Sequence, residues 1–194
     1  FNDILGRFGY CCRCRTRNDL VEFHKVIEQF RTQLNTGSKA EEIVKTAVGA
    51  FDSFCAQYVG QLRRISLTPR RRERLGKMRF HNLSKVAEEL LTIFDINVLS
   101  GLANEEIEFA KRMFFRRHVY EHNGGEVDER YLEESGDKTV RLKQLLHEEE
   151  GAVHKLLGTL SRMPKNLHDG FHLIFPAISE PIERYKSWSK REGP

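Results

Sequence analysis

Ile43-Val44-Lys45-Thr46-Ala47-Val48-Gly49-Ala50-Phe51-Asp52-Ser53-Phe54-Cys55-Ala56-Gln57-Tyr58-Val59 is the stretch on which the fold turns. Its apolar residues Ile43, Val44, Ala47, Val48, Phe51, Phe54, Cys55, Tyr58 and Val59, followed by Leu62, recur every three or four positions. That spacing puts them on one face of an α-helix. The helix is expected to start after the breaker Asn35-Thr36-Gly37-Ser38 and to run to about Arg64. Ser38 is the expected N-cap and Glu41 its capping-box partner. An apolar stripe this long needs partners, and strand signals elsewhere are few. The fold class is therefore all-α, a helical bundle.

Upstream, residues 1–38 read as a short irregular segment holding three cysteines and one helical stretch, Leu20 to Leu34. Downstream, Pro69 and the basic run after it read as a loop. A second helix is expected from about Leu83, with Val86, Leu90, Leu91 and Phe94 inward. Asn104 is the expected N-cap of a third, burying Ile107, Ala110, Met113 and Phe114, and Asn123-Gly124-Gly125 should end it. The polar connector from Glu126 to Thr139 is anchored by Val127 and Tyr131. Residues 147–161 read as a helix with Val153, Leu156, Leu157 and Leu160 inside, and Leu167 to Ile174 as another before Pro176. The expected layout is thus a segment at 1–38, a helical domain at 39–178 and a tail at 179–194, with no internal repeat.

At 194 residues and 39% apolar, the chain can bury a core without disulfide staples. No run of 18 apolar residues occurs, so no membrane span is expected. The chain opens Phe1-Asn2-Asp3-Ile4 with no basic leader, apolar signal core or initiator Met, the pattern of a piece of something longer. Four cysteines, three of them within four positions, do not form a secreted disulfide framework, which points to a reducing cytoplasmic setting. The net charge is only +4, yet Arg63, Arg64, Arg70, Arg71, Arg72, Arg74, Lys77 and Arg79 face a single Glu73. Such a patch attracts phosphate backbones by releasing counterions, making Arg70, Arg71, Arg72 and Arg74 candidate RNA contacts. Taken alone, it reads equally well as a solvated basic loop.

The run Arg117-His118-Val119-Tyr120-Glu121-His122-Asn123-Gly124-Gly125 carries the chemistry. Cleaving RNA without a metal means deprotonating a 2′-OH, protonating the leaving 5′ oxygen and stabilising charge on phosphorus. Histidine suits the proton steps, with an ordinary pKa of about 6.5. Arginine suits the charge, being always protonated and able to hold two phosphoryl oxygens. Five residues turn a helix by about 500°, or about 140° net, so Arg117 and His122 leave it in different sectors. They converge on one phosphate only if His122 sits where the helix frays, or if a second subunit contributes. The plain alternative is a basic last turn (Arg116, Arg117, His118) favoured by the helix dipole.

An arginine, a polar residue, three variable residues and a histidine resemble the signature of HEPN domains, which are helical, usually dimeric RNA-cleaving modules. Arg117, His118 and His122 fill those positions. The continuation Asn123-Gly124-Gly125-Glu126-Val127-Asp128-Glu129-Arg130-Tyr131-Leu132 is similar to members of this group. So are Ala50-Phe51-Asp52, Phe80-His81-Asn82-Leu83 and Phe94-Asp95-Ile96, and the resemblance spans about residues 39–175. It implies a metal-independent endoribonuclease leaving 2′,3′-cyclic phosphate ends, with no cofactor required for catalysis. Arg117 would polarise the scissile phosphate and His122 would be the general base or acid. His118 would orient the phosphate or its partner histidine, and Asn123 would add a hydrogen bond. Arg116 also fits the looser family spacing and counts among the expected RNA contacts. Partners implied are RNA, a second copy forming a homodimer with a composite site, and an antitoxin or regulatory protein. The biological setting implied is a toxin or an antiphage or stress effector.

Cys11 and Cys14 form a Cys-x2-Cys pair, the spacing of a zinc knuckle, and are the candidate ligands of a structural zinc at the N-terminus. His168 and His172 lie four apart like His118 and His122, but neither pair has the adjacent Glu of a hydrolytic zinc motif. The acidic clusters at Asp128-Glu129, Glu133-Glu134 and Glu148-Glu149-Glu150 read as solvated faces. A helical module without catalysis, serving dimerisation or nucleic-acid binding, is the alternative function.

Overall fold

The computed structural model describes Gly9, Cys11 and residues 13–189. They form an all-α protein of eight described helices: α1 Asp19–Asn35, α2 Ala40–Leu62, α3 Pro69–Gly76, α4 Leu83–Phe94, α5 Asn104–His122, α6 Glu129–Ser135, α7 Glu150–Ile174 and α8 Ser179–Ser189. Among the described residues, extended pairing with a named partner is confined to a single antiparallel bridge, Glu126 with Leu145. No described helix is long and apolar enough to cross a membrane.

Helix α2 is the axis of the bundle. All ten residues of its apolar stripe are buried, each worth roughly 1.5–3 kcal/mol for a large side chain. They pack against α1, α5 and α7. Phe23 of α1 meets Phe54 with ring centroids 5.2 Å apart, and Phe51 meets Phe114 of α5 edge-on at 5.4 Å. Helix α1 therefore shares this core through Phe23, Ile27 and Leu34, although composition sets residues 1–38 apart. The chain after α7 returns to the N-terminal turn, where the Ile178 N–H donates to the Cys14 carbonyl at 2.9 Å.

Local expectations fail where tertiary packing overrides them. Helix α2 begins without a side-chain cap from Ser38, its N-cap position being Lys39. The Glu41 carboxylate turns instead to the Glu148 N–H at 3.4 Å and to His147 at 3.3 Å. The basic run is a helix rather than a loop: Pro69 stands in the first turn, where its missing N–H costs nothing, and Leu75 is buried. Ala103, not Asn104, is the N-cap position of α5, its N–H donating to Glu106 at 2.9 Å. Leu91 faces solvent, and Glu89 takes a buried position on α4. The two helices expected between residues 147 and 174 are one. Pro164 lies inside α7 and forfeits a backbone bond. Burying Met163, Pro164, Leu167 and Phe171 along the same stripe offsets that loss. Residues 179–189 of the expected tail are helical.

Candidate functional site

Helix α5 buries Phe109, Ala110, Met113 and Phe114 and reaches its end with polar side chains on both flanks. It stops at His122, followed by Asn123 at the C-cap. Gly124 (φ +59°) and Gly125 (φ +92°) then take left-handed backbone that a residue with a Cβ adopts only under strain. The Gly125 N–H returns to the Val119 carbonyl at 3.2 Å, closing the helix. The Asn123 amide donates to Asp128, whose other oxygen accepts the Tyr131 N–H at 2.7 Å and so caps α6. The motif's histidine stands at the junction of two helices, and the expected stop at Asn123-Gly124-Gly125 is where the chain turns.

Arg117 and His122 come together through the residue between them. A Glu121 carboxylate oxygen lies 2.7 Å from Arg117 Nη2, and the same oxygen is 3.9 Å from His122 Nε2. One anionic oxygen thus lies bonded to Arg117 and near His122 while the helix stays intact. The Arg117 side chain is 17% exposed and that of His122 is 55% exposed. His118 lies one turn before His122, with ring centroids 4.5 Å apart and planes tilted by 56°. Burial, then the positive neighbours His122, Arg130, His81 and Arg117, lower the His118 pKa. The imidazole is thereby held toward its neutral, proton-accepting form.

Two basic residues and one acid at this site carry no role in the sequence reading. His81, in the turn before α4, has its pKa lowered by burial and then by Arg117, Arg79 and Arg130, with Glu121 opposing. Arg130 sits in the first turn of α6 and bonds Glu134 at 2.9 Å. Asp52 of α2 is pushed up to about 6 by burial, with Arg117 pulling it down and Glu121 pushing it up. Buried Asp52 Oδ1 and buried Arg117 Nε have no hydrogen-bond partner. Phe80-His81-Asn82-Leu83 was a sequence signal, but one without a role attached. Asp52 and Arg130 likewise fall in stretches quoted for the resemblance, with no role attached, because only packing brings them near α5.

Arg116 turns the other way, which corrects its expected place among the RNA contacts. Its guanidinium donates to Glu148 at 3.0 and 3.2 Å, to Asp137 at 3.0 Å and to the Tyr131 hydroxyl at 3.2 Å. Tyr120 and Tyr131 complete the network by donating to Glu148 at 2.6 Å and to Asp137 at 2.7 Å. Burial works against the Arg116 charge, but Glu148, Asp137 and Tyr131 outweigh it and raise its pKa. Burial likewise opposes the Asp137 charge. Bonds from Thr139, Tyr131 and Arg116 prevail and hold its carboxyl well below the usual range. Within the acidic clusters, Glu148 is therefore an ion-pair partner of the core rather than a solvated residue.

On α3, Arg70, Arg71 and Arg72 are exposed, whereas Arg74 is committed to Glu89 through Nε at 3.1 Å and Nη2 at 2.8 Å. Arg74 therefore leaves the set of free basic residues. Arg63 joins them, its guanidinium lying over Gly76. Cys11 and Cys14 share a tight turn in which the Arg15 N–H donates to the Cys11 carbonyl at 2.7 Å and Arg15 takes φ +60°. Bonds from the Cys14 backbone and thiol lower the Cys11 pKa, against a smaller opposing effect of burial. Cys12 lies outside the described residues. Two thiols are half of a tetrahedral zinc site, and among the described residues no three His, Cys, Asp or Glu side chains are grouped to hold a metal. His168 accepts or donates at the Tyr58 hydroxyl, 2.7 Å away, and His172 faces the Phe175 carbonyl at 3.1 Å. Comparison with family models, curated proteins and solved structures yields no match to this chain.

Proposed function

We propose that this protein is a metal-independent endoribonuclease of the HEPN type, cleaving RNA by attack of a ribose 2′-OH to leave a 2′,3′-cyclic phosphate. The observation carrying this reading is the Glu121 oxygen that lies within reach of both Arg117 and His122. An anion is already held there, and a phosphodiester is the anion whose cleavage calls for an arginine and a histidine. Arg117 binds the nonbridging oxygens once the phosphate displaces Glu121, and stabilises the charge that builds on phosphorus. His122 takes the 2′-OH proton as the 2′ oxygen bonds to phosphorus. His118, packed at a tilt against His122 and held toward neutrality, orients it. The P–O5′ bond breaks and O5′ takes a proton. In a two-fold dimer the same pair from the second protomer supplies that proton from the far side, so the composite site completes the reaction. Exposed Arg63, Arg70, Arg71 and Arg72 recruit the backbone of longer RNA. Growth arrest by RNA cleavage, as a toxin or an antiphage or stress effector under a restraining partner, is the biological role that fits.

The test is cleavage of a labelled oligoribonucleotide with and without EDTA, with the product ends analysed. EDTA-resistant cleavage leaving cyclic phosphate ends supports the reading. Cleavage abolished by chelation, or ends bearing a 5′-phosphate, contradicts it. A second reading, binding without turnover, is favoured by the exposed arginines of α3; it predicts salt-sensitive RNA binding and intact RNA after prolonged incubation.

A further inference from the structure

Two buried polar atoms without partners belong to α2 and α5, helices that pack against each other. Phe51 packs edge-on against Phe114 at 5.4 Å. Asp52 is the next residue on α2, and Arg117 lies one turn beyond Phe114 on α5. Of this pair, one acceptor, Asp52 Oδ1, and one donor, Arg117 Nε, are buried without any hydrogen-bond partner. A buried polar atom left unpaired is costly, and here one unpaired acceptor and one unpaired donor sit on groups whose charges already attract each other. Glu121 meanwhile holds the far end of the guanidinium through Nη2 at 2.7 Å.

We infer that Asp52 is a positioning residue for Arg117, accepting its Nε–H when a phosphate displaces Glu121 from the guanidinium. The bond uses the one donor that points back along the side chain. Both Nη groups are left free to meet two phosphoryl oxygens, the fork geometry in which arginine binds phosphate best. Glu121 and Asp52 thus define two states of Arg117, parked on an exposed carboxylate or braced on a half-buried one. The raised pKa of Asp52, set by burial with Arg117 opposing, agrees with a carboxylate short of partners in the parked state. Its catalytic consequence rests on the nuclease reading, while the bond itself does not.

The experiment follows the Arg117 Nε–H by 15N NMR, assigned by its loss in Arg117→Lys. The full chain is titrated with inorganic phosphate and with a 2′-O-methyl oligoribonucleotide, which lacks the attacking hydroxyl. The expected result is an Nε–H that exchanges more slowly with solvent on saturation in the native protein and not in Asp52→Ala. Asp52→Asn, which keeps an acceptor without the charge, should show partial protection. On cleavable RNA, Asp52→Ala should lower kcat about 100-fold with little change in KM, and Asp52→Asn about 10-fold. Melting curves report whether each variant folds. If the native protein cleaves no RNA, the nuclease reading falls and the Nε–H protection alone decides this proposal. An Nε–H unchanged by either probe, or equally protected in Asp52→Ala, overturns it, as does native kcat in Asp52→Ala.

Discussion

Arg116 and Arg117 are neighbours in sequence, and their guanidinium groups meet opposite conditions. Arg116 is closed in by two carboxylates and a tyrosine, all facing it from the core side of α5. Arg117 has one exposed carboxylate at its tip and an orphaned Nε at its base. The inner face spends its polar groups on holding the connector and the start of α7 against α5. The outer face keeps an arginine, two histidines and a displaceable acid within reach of one another. A saturated arginine is a strut, and an unsaturated one is available for a ligand. Carboxylates divide the same way, since Asp137 is driven down by its bonds and Asp52 up by burial.

The contrast can be broken most directly on its outer face. His122→Ala should lower the cleavage rate by about 10³-fold, within the usual range for a proton-transfer group. It should leave the melting temperature unchanged, because the side chain is largely exposed. A cleaving His122→Ala variant would remove the site's outer half. On the inner face, Arg116→Leu leaves Asp137 and Glu148 buried and uncompensated. It should destabilise the fold by about 3–5 kcal/mol in denaturant titration, and a loss below about 1 kcal/mol would make Arg116 no strut at all.

Charge sharpens the comparison further. Replacing Arg63, Arg70, Arg71 and Arg72 with alanine should reduce the slope of log affinity against log salt by about 3 in an RNA-binding titration. Arg74→Ala, whose side chain is tied to Glu89, should leave that slope alone. The two aspartates should give pH dependences of opposite sign. Asp137 has a lowered folded pKa, so its stabilisation is present above the unfolded value of about 3.9. It is lost as pH falls from about 5 toward 2, and Asp137→Asn should flatten that acid limb in melting curves. Asp52 has a raised folded pKa of about 6. Its favourable contribution is present below the unfolded value and lost as pH rises through 6. Asp52→Asn should therefore gain about 1 kcal/mol over the native protein at pH 8, after allowance for solvent screening, and nothing below pH 4.

How far these regions could be read from the chain follows from the range of the forces involved. The α2 stripe was legible to the last residue, because a 3.6-residue period imposed by one buried face is a local property. The stop after His122 was legible for the same reason, since Asn123-Gly124-Gly125 ends a helix wherever it is placed. Two prolines stand inside helices that local signals do not predict: Pro69 opens the basic run expected as a loop, and Pro164 lies between the two helices expected around it. One stands where a helix tolerates it, and the other where buried neighbours offset it. At the site, Arg117, His118 and His122 could be named from their spacing. The choice between Arg116 and Arg117 could not be settled by spacing alone, since the partners that turn Arg116 inward lie 21 and 32 residues away. Asp52 and His81 were invisible as site residues because only the packing of α2 and the α4 entrance against α5 brings them there.

The most direct measurement is the single-turnover rate of RNA cleavage by the native protein and by Arg117→Ala in the presence of EDTA, with melting curves alongside. The account predicts that the native protein cleaves under chelation, and that Arg117→Ala cleaves at least about 100-fold more slowly with an unchanged melting temperature. Native-rate cleavage by Arg117→Ala would contradict it.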